Sequence, residues 1–596
     1  MKRMRCARWA APILGILAGL TLAGQSRALG QLANSNADVL DARGIEAIFS
    51  LNGFGVGLAM AETGRPGLTG FDLPMFTHPL LTPAGIFTED NIALPNGGPN
   101  SHSQGVAGVV ISRDPNVRGV SPFASFYASE WLTGDTDLAD EESVAISSQH
   151  LALIGNRNGF RIFGVRAINH SYGVGPVGNP TGARLSTMFA DWSARRFDAL
   201  HVTAGDELGF AIGRNDLLAG WNDISVGFTR RDDMGFFTIV DEANYNGRWP
   251  ANGRVLVDIV APGSDIRMLD IGGGQQVSSG SSFAAPLVTG AVGTLQYYAQ
   301  QQVLGMNARF DRDAFRHEVM KAVMMNSAEK REGVLGMGKT ITRSVLTDPN
   351  TLVNPFPVAD PRHAAFENIR SQPNNRAGDT MDWIDRRDAD NAGAPNPQFL
   401  PRDRHPLDDQ LGTGQLNITR AVAQFVAGEY DPGPIPLVAW DYHATGGAGG
   451  NTIYRFQQFF DVGDWVAVTL AWDRLVNLND GMGGSSGLFD RGESFTESGF
   501  ADLDLYLIPV GANALAASVA RSTSTLYTVE HIFHQITAQD GAGMYEIWVR
   551  HAAGNVAPQD YALAWWAVVP APGSVTLILG GVLLVMRRPQ RWASAA

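Results

Sequence analysis

Short apolar runs bounded by glycine recur through the first two-thirds of the chain, interleaved with apolar runs of helical spacing. Residues 53–61 (Gly-Phe-Gly-Val-Gly-Leu-Ala-Met-Ala) read as a buried strand that ends in Glu62-Thr63-Gly64. Residues 199–205 form another such strand, and 222–227 and 257–263 have strand-then-turn chemistry. Val106, Ala107, Val109, Val110 and Ile111 continue His102 as a helix. Leu287 to Gln301 and Phe315 to Ala328 are further helices, the second with Val319, Val323 and Met324 as its buried stripe. A strand that ends in an acid and a glycine turn is where an open α/β sheet presents a functional group. Gly433-Pro-Ile-Pro436 reads as a linker, and beyond it the pattern changes. Residues 465–472, 501–507, 545–549 and 561–565 alternate as strands between Gly/Asp turns, which argues for a β-sandwich.

The 596 residues give room for two or three domains and a large core. With 44% hydrophobic and 17% charged residues the chain is globular, and a net charge of −14 without a basic stripe excludes nucleic acid as the expected partner. Residues 1–28 have the form of a secretory signal: Lys2, Arg3, Arg5 and Arg8, an apolar run from Ala10 to Ala23, then Ser26-Arg27-Ala28. Cys6, the one cysteine, falls inside it, so the mature chain is expected to hold no disulfide and no thiolate metal site. Near the other end, residues 569–573 (Val-Pro-Ala-Pro-Gly) precede a short apolar run, 574–586, and then Arg587, Arg588 and Arg591. This segment resembles a PEP-CTERM sorting signal of Gram-negative bacteria, with Pro-Ala-Pro in place of Pro-Glu-Pro. The resemblance implies an exosortase-type processing enzyme as a partner and a location at the cell surface or outside it. A simple C-terminal membrane anchor is the alternative.

The stretch 278–286, Ser-Ser-Gly-Ser-Ser-Phe-Ala-Ala-Pro, meets the helix at Leu287 and puts Ser282 at its N-terminus. Free N–H groups and the positive dipole end there suit a developing oxyanion. The stretch resembles the G-T-S-x-A-x-P motif of the subtilisin-like serine proteases, with Ser281 where Thr is usual. Further segments resemble that family in the same order: Glu62 at the strand end where the family has Asp, His102-Ser-Gln-Gly-Val-Ala-Gly108, 119–128, Ala167-Ile-Asn-His-Ser-Tyr-Gly173, 199–206 and Gly412-Thr-Gly-Gln-Leu-Asn417. The resemblance covers roughly 45–428, with 329–409 as an insertion or long loop. It implies a mostly parallel sheet with helices on both faces, followed by a jelly-roll-like accessory sandwich over 437–568.

The resemblance also implies roles. Ser282 attacks a scissile carbonyl, His102 moves the proton and Glu62 orients the imidazole, in the chain order acid, histidine, serine. Ser171, Tyr172 and Gly173 pair with the substrate main chain. Two positions depart from the pattern. Glu62 is longer than Asp by one methylene. Asp206 stands where the family's Asn donates to the oxyanion, and an ionised Asp has no donor. Two rivals therefore stay open: a pseudoprotease that binds extended peptides, and a surface adhesion protein that works through its sandwich. No cofactor is required by this chemistry. Structural calcium is open at Asp502 and Asp504, on one strand face. His531 and His534, and the aromatics Trp440, Trp465, Trp472, Trp548, Trp565 and Trp566, are expected to pack rather than bind. Substrate, specificity and oligomeric state are not encoded in any readable pattern.

Overall fold

The computed structural model describes residues 46, 50–62, 81, 85–88, 100–130, 138–155, 164–172, 181–205, 216–231, 236–239, 254, 256–328, 340–343, 406–407, 412–481, 486–554 and 557–568. The expected signal at 1–28, the sorting segment at 569–591 and most of 329–409 lie outside the described residues. Among the described residues no helix is long and apolar enough to cross a membrane.

The first unit is built on a nine-stranded sheet. Its strands are β1 (Gly57–Glu62), β2 (Gly85–Thr88), β3 (Ser125–Glu130), β4 (Val165–His170), β5 (Leu200–Ala204), β6 (Ile224–Arg231), β7 (Phe236–Ile239) and β8 (Ile259–Pro262); outside it, β9 (Ile266–Leu269) and β10 (Gln275–Ser278) form a hairpin; β11 (Thr340–Arg343) completes the sheet. The order is β11-β7-β6-β5-β4-β1-β3-β2, with β8 beside β6. All pairings from β2 across to β6, and β6 with β8, are parallel; β7 and β11 add antiparallel at one edge. β11 thus places a strand inside the stretch read as insertion or loop.

Helices cover both faces, as a parallel sheet requires. They are α1 (Ser101–Ile111), α2 (Leu138–Ala152), α3 (Leu185–Phe197), α4 (Ser281–Leu304), α5 (His317–Ser327) and α6 (Ile418–Val426). β1 shows why its sequence is continuously apolar: Leu58 and Met60 enter the core under α1 and α4, while Ala59 and Ala61 enter the core under α2 and α3. α4 runs close against that sheet. A Cβ on Gly293 would sit 2.7 Å from Leu58 Cδ1, so only glycine allows the approach.

The second unit begins earlier than the pattern suggested. Gly433–Ile435, read as a linker, is β12 and pairs parallel with β14. Ile435 is buried, which fixes the segment in place of a free hinge. The remaining strands are β13 (Val438–Ala444), β14 (Asn451–Phe456), β15 (Trp465–Trp472), β16 (Leu475–Asn479), β17 (Ser494–Gly499), β18 (Ala501–Pro509), β19 (Ala520–Ser522), β20 (Val529–Gln535), β21 (Tyr545–Gly554) and β22 (Asp560–Val568). Two sheets, β12-β14-β21-β18-β19 and β13-β22-β15-β20, enclose a core that includes Tyr454, Val468, Leu505, Ile547, Leu563 and Trp565. Apart from β12 they are antiparallel.

The two units share their interior. Trp440, Ala471, Val529, Ala562 and Ala564 of the four-stranded sheet join the core of the first unit. All eleven residues of α5 are buried, its polar residues included: Lys321 donates to the Trp221 carbonyl at 3.0 Å within the first unit, and Asn326 meets the sandwich. There Thr469 Oγ1 donates to Asn326 Oδ1 at 3.1 Å and Trp566 Nε1 to the Asn326 carbonyl at 3.0 Å. The Phe425 and Trp440 rings stack at 5.4 Å. On the other face of the first sheet, Val476 and Phe489 pack with Phe189 and Trp192. A fully buried ion pair closes the seam. Arg474 Nε donates to Asp191 Oδ2 at 2.8 Å, its Nη2 bonds the same carboxylate oxygen and the Gly182 carbonyl, and Asp191 Oδ1 also accepts from the backbone of Trp221 and Asn222.

Removing one member of a buried pair strands the other charge, which costs about 3–5 kcal/mol. Arg474→Ala is therefore expected to lower the unfolding free energy by about that much in urea titration followed by tryptophan fluorescence. A change too small to resolve would mean that the seam contributes little.

Candidate active site

The C-terminal ends of β1, β4 and β5 and the N-termini of α1 and α4 meet at one edge of the sheet, where an open α/β fold places its ligands. Glu62 is the last residue of β1 and its side chain is 2% exposed. His102 sits in the first turn of α1, held by the cap Asn100, whose Oδ1 accepts from the backbone N–H of His102 at 2.8 Å and of Ser103 at 3.3 Å. The β9–β10 hairpin braces the same turn: Gln276 Nε2 donates to the Ser101 carbonyl at 2.7 Å. The result is a contact between His102 Nδ1 and Glu62 Oε2 at 3.2 Å, with the imidazole about one-third exposed and the carboxylate buried. The His102 ring centroid lies 5.4 Å from that of Phe283, which places His102 beside the start of α4.

Ser282 is the second residue of α4. Gly280, at φ 151°, caps that helix, and its N–H donates to the Gly263 carbonyl at 2.7 Å. A side chain at this φ would be strained, so the glycine of the 278–286 stretch is what allows the turn. Ser281 Oγ bonds the Gly205 carbonyl just past β5. Ser282 and Ser171 bind one another twice: Ser282 Oγ donates to the Ser171 carbonyl at 3.3 Å, and Ser171 Oγ donates to the Ser282 carbonyl at 2.8 Å. Asn169 Nδ2 donates to Ser171 Oγ at 2.8 Å, and Thr289 of α4 donates back to Asn169 Oδ1 at 3.3 Å. Ser171 therefore supports the serine turn. Gly173 and Asp206 lie outside the described residues.

Tyr172 turns inward. Its hydroxyl is 2.7 Å from His170 Nδ1, and His170 Nε2 is 2.8 Å from His201 Nδ1, with the two imidazoles stacked at 5.0 Å. Burial pushes His170 down to about 3 and His201 well below its ordinary value, so both rings are neutral. Burial, then the nearby Glu62 charge, pushes the Tyr172 hydroxyl well above its usual range. The pattern reading missed this chain; a histidine inside the apolar strand Leu200-His-Val-Thr-Ala204 was its one signal.

The sandwich candidates are placed as packing groups. His531 and His534 fall on opposite faces of β20, both buried, the first 2.8 Å from Thr469 Oγ1 and the second 3.0 Å from Asp540. Trp440, Trp472, Trp565 and Trp566 are buried. Asp504 accepts from the Tyr506 hydroxyl at 2.7 Å, and burial pushes its carboxyl up to about 6; burial raises Asp502 as well.

A model of the Subtilase family matches residues 77–343. That span holds His102, Asp206 and Ser282 and starts after Glu62. No curated protein matches. Similar solved structures include the prenylagaramide maturation protease PagA, at 17% identity over 64% of this chain and 98% of that one, TM-score 0.37. The A-subunit of the AB5 toxin from E. coli is 18% identical over 52% and 94%, TM-score 0.36. A cold adapted subtilisin-like serine proteinase is 18% identical over 50% and 90%, TM-score 0.31. The fold is the α/β arrangement of a mostly parallel sheet with helices on both faces, followed by antiparallel sheets.

His170 and His201 yield a direct expectation. Below the ordinary imidazole value of about 6.5 the unfolded chain takes up protons that these rings refuse. Their share of stability is complete above that pH and is lost as the pH falls toward 3, at up to about 1.4 kcal/mol per pH unit for each ring. In imidazole NMR of the folded protein, two rings should stay neutral at least to about pH 4.5; titration of all imidazoles near 6.5 would contradict their placement.

Proposed function

We propose that the protein is an exported, surface-sorted serine endopeptidase that cleaves peptide bonds through Ser282, His102 and Glu62. The observation that carries the reading is the convergence of a buried carboxylate, a one-third-exposed imidazole 3.2 Å from it and a serine at a helix N-terminus beside that imidazole. The subtilase match over 77–343 supports a serine-type peptidase in general, with protein or peptide as substrate. Residues 1–28 and 569–591 support export and sorting, with an exosortase-type enzyme as a processing partner.

The chemistry follows from the residues. Glu62 accepts from His102 Nδ1–H, which fixes the tautomer and leaves Nε2 as the base. A rotation about χ1 swings the Ser282 hydroxyl from the Ser171 carbonyl toward that nitrogen. The oxygen attacks the scissile carbonyl, His102 takes the proton and returns it to the leaving amine, and water then cleaves the acyl-enzyme. The Ser282 N–H, in the unsatisfied first turn of α4, donates to the oxyanion with help from the helix dipole. The extra methylene of Glu62 is absorbed at the strand end, since the carboxylate already reaches the imidazole. Asp206 serves as a donor only when protonated. A peptide-binding pseudoprotease is the second reading, favoured by Asp206.

A fluorophosphonate probe tests the reading without a guess at substrate. The folded mature protein should be labelled, Ser282→Ala should not, and Glu62→Gln should slow labelling by about 10⁴-fold through the wrong tautomer. Absence of labelling in folded protein across pH would favour the pseudoprotease. Asp206→Asn, which restores a donor, is expected to raise the labelling rate by about 10²-fold; an unchanged rate would remove Asp206 from the oxyanion site.

A further inference from the structure

At the opposite end of the parallel strands, three electron-rich atoms face one another. Asp198 lies two residues before β5, whereas the Ser282 turn contacts Gly205 just after it. Asp198 closes α3 in the left-handed conformation, at φ 52°. His317 and Glu318 open α5. His317 Nδ1 is 3.1 Å from Glu318 Oε2 and 3.6 Å from Asp198 Oδ1, and the three ligand atoms lie within 4.8 Å of each other. On its far side the same ring is hydrogen-bonded through Nε2 to Asp473 Oδ1 at 3.1 Å, from the turn between β15 and β16. A carboxylate only accepts, so Nε2 carries the hydrogen. In the neutral ring, Nδ1 then presents a lone pair to two carboxylate oxygens.

That arrangement needs a positive charge between its members. The His317 and Glu318 side chains are 1% and 7% exposed, and among the described residues neither Nδ1 nor Oε2 has a hydrogen-bond partner. Leaving such atoms buried and unsatisfied costs about 1–3 kcal/mol each, more when charged. A proton on Nδ1 meets Oε2 at ion-pair distance but outside hydrogen-bond geometry. A tetrahedral cation with N and O ligands at about 2.0–2.1 Å sets its ligands about 3.3–3.4 Å apart, between the two separations seen here.

We propose that His317 Nδ1, Glu318 Oε2 and Asp198 Oδ1 bind one divalent cation of the zinc type, oriented by Asp473 from the sandwich. One imidazole with two carboxylates suits zinc better than calcium, which takes six or more oxygens. A carboxylate behind a ligating histidine is the usual outer support of such a site. Guanidinium groups border it: Arg316 Nη1 donates to both Asp198 oxygens, at 3.2 Å to Oδ2 and 3.3 Å to the proposed ligand Oδ1, Arg166 acts on Asp198, and Arg195 Nε is 3.7 Å from Asp473 at the solvent edge. They offset the three carboxylates, so the proton is a real competitor. Burial opposes charge on His317, but Glu318 and Asp473 prevail and hold its proton affinity well above the ordinary range. The Asp198 side chain, 18% exposed, gives the route of entry. The ion would pin the end of α3, the start of α5 and the sandwich together.

The experiment is elemental analysis and thermal unfolding of the full-length protein dialysed against zinc, beside chelator-treated protein. The expected result is about one zinc per chain and a melting temperature raised by roughly 5 °C. Glu318→Gln and Asp198→Asn should each bring zinc to background. Background zinc in the folded wild type, equal zinc in folded Glu318→Gln, or no zinc-dependent shift in melting would overturn the site. If a variant does not fold, the wild-type stoichiometry and shift decide alone.

Discussion

The candidate site depends on the placement of one helix end. α4 carries Ser282 in its first turn, and everything that fixes this turn is remote in sequence: Gly263 behind the cap, Gly205 under Ser281, Ser171 and Asn169 beside the serine. The bonds come from the ends of three strands, β8, β5 and β4, so the serine has a defined position only once the parallel sheet is assembled. The imidazole is set in the same way, by an Asn cap on its own helix and a Gln from the hairpin that leads into α4. The geometry of the candidate site is a property of the assembled strand ends, as expected for a preorganised site.

The sheet in turn relies on the second unit. A β-sandwich joined through a linker would leave the helices of the first unit half wet. Instead α5 is enclosed on all sides, and the four-stranded sheet is buried on both of its faces, against its partner sheet and against α5 and α6. The strand at 465–472, read from its sequence as alternating, is buried at every residue after Trp465, as a strand covered on both faces must be. Asp191 with Arg474 and Asn326 with Trp566 show that the seam has specific polar bonds as well as area.

What was legible in the sequence was local. The small-residue turn before the helix at Leu287, a strand that ends at Glu62, and a His at the start of an apolar helix each carry their own conformational reason within a few residues. β15 could be read to the residue because its bounds are tryptophans in a run of β-formers. The seam was not legible. Val319, Val323 and Met324 mark one buried face of α5, but His317 and Lys321, on the other side of the helix, look like a solvent face, and only the packed structure shows that they are interior. The same holds for Gly433–Ile435, whose Gly-Pro composition reads as a hinge although Ile435 anchors it. The His170–His201 pair escaped for a related reason: strands 31 residues apart put the two rings side by side.

The enclosure of α5 also bears on the order in which the chain becomes a working object. Synthesis delivers residues in sequence, and Asn326 emerges 240 positions ahead of Trp566, whose indole donates to its carbonyl. Until β15 and β22 arrive, Asn326 lacks its sandwich partners and the face of α5 that they cover is exposed. The first unit is therefore fully enclosed only once nearly the last strand of the second is in place. A chain with this dependence completes its interior late, after most of it has left the site of synthesis.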